Sequence, residues 1–119
     1  MYIVTRNNIE PGLQISQSIH AVSEFLNQHP QEYQDWYENS NYLAILSVKS
    51  ESDLKELSEK VCSLGLTFSP FHEPDLNNEL TAIAVAPSPA AKKLFSSLPL
   101  ALKEYSTKSK SAGREVIYE

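Results

Sequence analysis

Two stretches of the chain concentrate side chains able to do chemistry. In the first, Leu13, Gln17, His20 and Glu24 recur at i, i+4, i+7 and i+11, the spacing that aligns side chains along one face of a helix. Gln17 and His20 thus point the same way, and an imidazole there can take or give a proton because its ordinary pKa lies near neutrality. The second stretch, His72-Glu73-Pro74-Asp75-Leu76-Asn77-Asn78, is polar and turn-forming and lies between two apolar runs. Asparagine and aspartate are ordinary turn residues, yet carboxylates and amides are unusually dense here. His20, His29 and His72 with Glu73 and Asp75 would be the material of a metal site. No pair of them has ligand spacing on a predicted helix, and the single cysteine, Cys62, excludes a cysteine cluster, so no metal is expected. With only 3 glycines, no glycine-rich loop follows a strand to cradle phosphate.

The elements that must position these groups follow from hydrophobic periodicity and turn residues. Residues 2–6 read as a first strand stopped by Asn7-Asn8. After Pro11-Gly12, the residues Ile15, Ile19, Val22 and Leu26 form an apolar stripe on an amphipathic helix over 13–27, opposite the Gln17/His20 face. Pro30 opens a shorter helix over 30–38, with Tyr33, Trp36 and Tyr37 on one side as core packing. Residues 42–49 are nearly continuous in apolar side chains, as in a central strand covered on both faces. Ser50 and Asp53 resemble a helix cap ahead of Leu54, Leu57, Val61 and Leu64, and Gly65 supplies the stop. Glu51/Lys55 and Glu56/Lys60 have the stabilising four-residue spacing, and Cys62 beside the stripe reads as a small buried hydrophobe. Residues 66–71 and 79–86 are the third and fourth strands, and a helix over 90–97 follows Pro87-Ser88-Pro89, with 98–105 as its continuation. The order β-α-α-β-α-β-β-α predicts an α/β fold, a three-layer α/β/α sandwich around a four-stranded mixed sheet. One domain spans 1–105. A polar tail over 106–119 follows, whose Val116-Ile117-Tyr118 is suited to an edge strand or to docking on a partner.

Composition removes several function classes. A chain that is 41% hydrophobic and 21% charged belongs with folded proteins rather than disordered ones. Its longest apolar runs, 42–46 and 82–86, fall far short of the ~20 residues a membrane helix needs, so no membrane partner is expected. The absence of a basic leader with a long apolar stretch, together with one cysteine, points to a reducing cytoplasm. Of the net charge of −5, the acidic share is concentrated in residues 1–87, where Arg6, Lys49, Lys55 and Lys60 face twelve acidic residues. Such a body is a poor electrostatic partner for nucleic acid. The basic residues Lys92, Lys93, Lys103, Lys108, Lys110 and Arg114 make the C-terminal quarter the better RNA contact.

The segment Gly12-Leu13-Gln14-Ile15-Ser16-Gln17-Ser18-Ile19-His20-Ala21 resembles the Gly-Lys-x-x-Ala-Gln-x-x-His-Ala motif of type 2 peptidyl-tRNA hydrolases, with Gly12, Gln17, His20 and Ala21 in its slots. Arg6-Asn7-Asn8-Ile9 looks like that family's Arg-x-Asp-Leu. Residues 73–78 fall where the family has Asp-Ala-Gly-x-Thr-Gln, and Thr81-Ala-Ile-Ala-Val-Ala-Pro87 resembles its Thr-Val-Leu-x-Ile-Gly-Pro strand. Element order agrees over about residues 2–97. The departures bear on chemistry: the family's lysine is replaced by Leu13, which neither donates a hydrogen bond nor stabilises negative charge. Asn8 and Glu73 stand for aspartates, Asn77 and Asn78 stand for threonine and glutamine, and the connection to the fourth strand is shorter.

The resemblance implies hydrolysis of the ester joining a peptide to the 3′ end of tRNA, without a cofactor, and a homodimer. Such a reaction needs an activated water, a group to orient it and donors for the oxyanion. His20 or Glu73 is expected to act on the water, with Asn77, Asn78 and Thr81 orienting groups or donating to the oxyanion, and with Gln17, Arg6, Asn8 and Gly12 on the substrate side. Two other readings stay open on the same fold. One is a non-catalytic binding or dimerisation module with a protein partner, favoured by Leu13 and the acidic body, and the other is hydrolysis of a small ester or amide.

Overall fold

The structure, a computed structural model, describes residues 1–103. Its elements are β1 (Tyr2–Arg6), α1 (Pro11–Gln28), α2 (Pro30–Asn39), β2 (Ala44–Val48), α3 (Glu51–Ser63), β3 (Phe68–Glu73), β4 (Glu79–Val85) and α4 (Pro89–Phe95), with a 3-10 turn at Pro74–Leu76. The order and the fold class are as the sequence predicts. In the single sheet the strands run β2-β1-β4-β3; β1 is parallel to β2 and antiparallel to β4, and β4 is antiparallel to β3.

The pleat sends alternate side chains to two separate cores. Tyr2 and Val4 join Leu46, Ile83 and Val85 beneath α3 and α4, where Leu54, Val61, Ala91 and Phe95 are buried. On the other face Met1 and Ile3 join Ala82 and Ala84 beneath α1 and α2, packed by Ala21, Phe25 and Trp36. Trp36 is tied down by its indole N–H, which donates to Tyr42 O at 2.6 Å. The α3 boundaries are those written in the sequence. Ser50 Oγ accepts from Asp53 N at 3.1 Å, and Gly65 at φ +71 closes the helix with Gly65 N→Cys62 O and Leu66 N→Val61 O bonds of 3.0 and 3.2 Å.

Five expectations change. Tyr37 of α2 is exposed rather than packed in the core with Tyr33 and Trp36, because it follows the buried Trp36 and turns to solvent. The apolar run at β2 is not central; it forms one edge of the sheet, and its free side is covered by the segment after α4, with Ser47 N→Pro99 O at 3.0 Å and Ala101 N→Ile45 O at 2.9 Å. Residues 99–101 therefore run along a strand rather than continuing a helix, which blunts an otherwise open sheet edge. Cys62 is exposed, because it follows the buried Val61 and turns away from the sheet. The Ile15/Ile19/Val22/Leu26 stripe of α1 is also not its core face. Gln14, Gln17, Ser18, Ala21 and Phe25 face the sheet instead, while Ile15 and Ile19 are 51% and 64% exposed. Most polar atoms of the inward face are bonded: Gln14 Nε2 donates to Ile9 O and Ser18 Oγ to Gln14 O, at 2.8 and 2.7 Å, and among the described residues Gln14 Oε1 alone is a buried side-chain polar atom without a partner. The tail over 106–119, with Val116–Tyr118, lies outside the described residues.

The two stops of α3 give a stability test. Ser50→Ala is expected to lower the unfolding free energy by ~1 kcal/mol through loss of the cap. Gly65→Ala is expected to lower it by about 1–2 kcal/mol, because alanine is strained at positive φ. Urea denaturation of both variants checks this.

Candidate active site

A break in strand register builds the site. Along β3 and β4, Phe71 pairs with Ala82 but His72 pairs with Leu80, leaving Thr81 as an extra residue on β4. This bulge turns Thr81 toward α1, on the same face as Ala82, as bulges commonly re-aim a side chain. Thr81 is fully buried there, its carbonyl held by Thr5 Oγ1 at 2.9 Å.

From Thr81 a chain of hydrogen bonds runs outward. The Thr81 hydroxyl donates to Gln17 Oε1 at 2.6 Å, and Gln17 Nε2 donates to Glu73 Oε1 at 2.8 Å. Gln17 is only 2% exposed. The carboxylate accepts only, so it must face the Gln17 NH2; that leaves Oε1 toward the hydroxyl and fixes the amide in one orientation. The other Glu73 oxygen, Oε2, accepts from Asp75 N at 3.0 Å. These donors, the Asp75 N–H first and the Gln17 amide second, hold the Glu73 carboxyl below the usual carboxylate value, and the charge of nearby His20 adds to them. Glu73 is therefore a fixed, ionised acceptor at the end of β3.

His20 lies on the exposed side of α1 with its ring parallel to that of Phe71, the centroids 4.6 Å apart and the planes within 13°. Leu13 is on the same helix face, two turns earlier, and is 38% exposed. Asn77 and Asn78 occupy the turn after Pro74–Leu76, both with left-handed backbone (φ +55 and +59) and both exposed. Asparagine suits that conformation, so the turn accounts for their residue type before any chemistry does. The turn closes with Asn78 N→Glu73 O at 2.9 Å.

Gln17, His20, Glu73 and Thr81 are thus brought together, with Asn77 and Asn78 on the adjoining turn. Arg6 and Asn8 belong to a different network. The Arg6 guanidinium, 7% exposed, donates to Asn8 Oδ1 at 2.8 Å, Glu79 Oε1 at 2.7 Å and Leu80 O at 3.3 Å. Glu51 of α3 joins that network by accepting from Leu80 N at 2.9 Å, which holds its carboxyl low. Gly12 is exposed, and a Cβ there would meet nothing within 4 Å. Among the described residues no group of three His, Cys, Asp or Glu side chains is placed to hold a metal, and no helix is long and apolar enough to cross a membrane.

Two participants are missing from the sequence reading. Phe71 was available as a signal, since it precedes Glu73 by two residues and shares its strand face. Glu79 was not, because nothing local marks it as the partner of Arg6, 73 residues away. The family model of peptidyl-tRNA hydrolase PTH2 matches residues 1–104. No curated protein matches the chain.

Thr81→Val leaves the buried Gln17 Oε1 without its donor and is expected to cost about 1–3 kcal/mol. Adding Gln17→Leu is expected to recover part of that loss, giving a coupling energy of roughly 1–2 kcal/mol in a double-mutant cycle. Acid unfolding supplies a second test. Glu73 and Glu51 both have lowered carboxyl pKa values when folded, so each contributes stability above the unfolded carboxyl value that is lost as pH falls through the folded one. Stability measured between pH 6 and 3, roughly the carboxylate window, should decline less steeply in Glu51→Gln and in Glu73→Gln than in the parent.

Proposed function

Because the chain belongs to the type 2 peptidyl-tRNA hydrolase family, we propose that it hydrolyses the ester between a peptide and the 3′ end of tRNA, with Glu73 orienting the attacking water. The observation that carries this reading is the Thr81–Gln17–Glu73 chain, which fixes an ionised carboxylate at the end of β3. Water held by Glu73 attacks the ester carbonyl carbon and its proton passes to the carboxylate; as the tetrahedral intermediate collapses, the C–O bond to ribose breaks and that proton passes on to the departing oxygen, which leaves as the hydroxyl and restores the Glu73 carboxylate. Thr81 and Gln17 act as positioning residues, since their polar atoms are engaged with one another. The exposed amides of Asn77 and Asn78 are the donors for the oxyanion, and His20 lines the rim.

Leu13 favours a slow enzyme. A lysine at that place on the Gln17/His20 face would add a cation for the developing negative charge, and removal of a single oxyanion donor costs an enzyme ~10²–10³ in kcat.

Release of N-blocked amino acid from charged tRNA at low salt tests the assignment. Glu73→Gln is expected to lower kcat by ~10²-fold or more, and Leu13→Lys to raise it by about tenfold or more. The rate should be flat through neutrality and fall only below the ordinary carboxylate range, because the Glu73 carboxyl is held low. A fall centred near neutrality would transfer the proton-accepting role to His20. No turnover by the parent chain, with tRNA still bound, would replace hydrolysis by the binding-module reading.

A further inference from the structure

We propose that the outer face of His20, backed by Phe71, is a stacking platform for the terminal adenine of the tRNA 3′ end. This rests on the hydrolase reading and adds a binding role for a ring pair that the chemistry of water attack does not require.

Three observations carry it. Phe71 is packed against the core formed by Ala21, Phe25 and Ala84, so it is an anchored support rather than a loose side chain. His20 lies parallel on it at 4.6 Å and 13° while itself remaining exposed, which leaves one imidazole face open to solvent in a ready stacking geometry. The platform is flanked by carboxylates, with Glu73 two residues beyond Phe71 on β3 and Glu24 one turn further along α1. That setting repels phosphate. The group that fits is a neutral, planar ring, and a nucleobase presents such a face whatever its sequence. The unpaired 3′ end of tRNA offers an unstacked base of this kind.

Position agrees with chemistry. The base and the scissile ester of the terminal nucleotide are separated by one ribose; His20 stacks on Phe71, two residues before Glu73 on β3, and lies one turn after Gln17, which bonds Glu73 at 2.8 Å. Adenine on His20 sets the ester carbonyl against the water held by Glu73. The ring pair then orients the substrate without touching the reacting atoms, and Phe71 acts through His20 as a positioning residue.

The test uses an uncharged acceptor-stem RNA whose terminal adenine is replaced by 2-aminopurine, with a second dye at the far end to report binding by anisotropy in low salt. With no ester present, hydrolysis plays no part. The parent chain is expected to bind and to quench 2-aminopurine, as stacking does. His20→Ala should abolish the quench and weaken binding by about 5- to 100-fold. His20→Phe, which keeps a ring but removes the imidazole nitrogens, should retain the quench. Because His20 is exposed, thermal melting of both variants is expected to match the parent. Binding without a quench, a quench that survives His20→Ala, or its loss in His20→Phe would each overturn the platform while leaving the hydrolase reading intact. Absence of binding by the parent chain would overturn both.

Discussion

The amide of Gln17 is the constraint on which the rest of the site depends. It is buried between α1 and the sheet, with an acceptor that needs a donor and a donor that needs an acceptor. A single unmatched polar atom of this kind costs about 1–3 kcal/mol. Both demands are met because Thr81 is bulged out of register toward α1 and because β3 ends in a carboxylate on the same face. One side chain thereby locks three elements together. It also explains the rotation of α1 about its axis: bringing Gln17 down on Thr81 carries Gln14, Ser18, Ala21 and Phe25 inward and leaves Ile15 and Ile19 outside.

The opposite sheet face holds a matching clamp. Glu73 and Glu79 face each other as the last pair of β3 and β4, so they are the two feet of the turn that carries Asn77 and Asn78. The Gln17 amide grips one foot from α1. Arg6 grips the other at 2.7 Å, and Glu51 of α3 takes the neighbouring Leu80 N–H. A turn held at both ends by buried or half-buried partners keeps its exposed amides in a narrow range of positions, as the oxyanion role proposed for them requires. Arg6 thus serves the site from a distance, as a support for the hairpin.

The fold was legible wherever local rules decide. The α3 cap at Ser50, its stop at Gly65 and the alternation of strands with helices all act over a few residues, and each stands where the sequence places it. Non-local choices were not legible. Hydrophobic periodicity shows that α1 is a helix and that it has an apolar stripe, but the face it buries is set by hydrogen bonds to residues 56 and 64 positions away. The apolar run of β2 likewise suits a covered strand, and it is partly covered, though by chain from 99–101 at a sheet edge rather than by strands on both sides. Of the site, Gln17, His20, Glu73, Asn77, Asn78 and Thr81 could be named from spacing and resemblance. The bulge that aims Thr81 and the Phe71 support under His20 depend on strand register, which single residues do not announce.

For the proposed hydrolysis, Leu13 changes where rate acceleration has to come from. Where a lysine stands near a scissile carbonyl, a full positive charge meets the oxyanion as it forms, and that interaction strengthens only in the transition state. Here the fixed charge at the mouth is the negative one on Glu73, stabilised by the Asp75 N–H and the Gln17 amide before any substrate arrives. A carboxylate held this firmly is a weak base, but it is ionised throughout the neutral range and its lone pairs are aimed. In the proposed reaction its contribution is positional: holding the attacking water by an aimed lone pair substitutes, through proximity, for part of the electrostatic stabilisation a lysine would give. Positional catalysis is effective only if the ester is equally well held. The acidic surface offers little grip on phosphates, so the substrate must be fixed by neutral contacts close to the bond that breaks. The planar ring face proposed beside Glu73 answers that need, and Leu13 in the place of a cation and the exposed face of His20 on Phe71 then fit one arrangement.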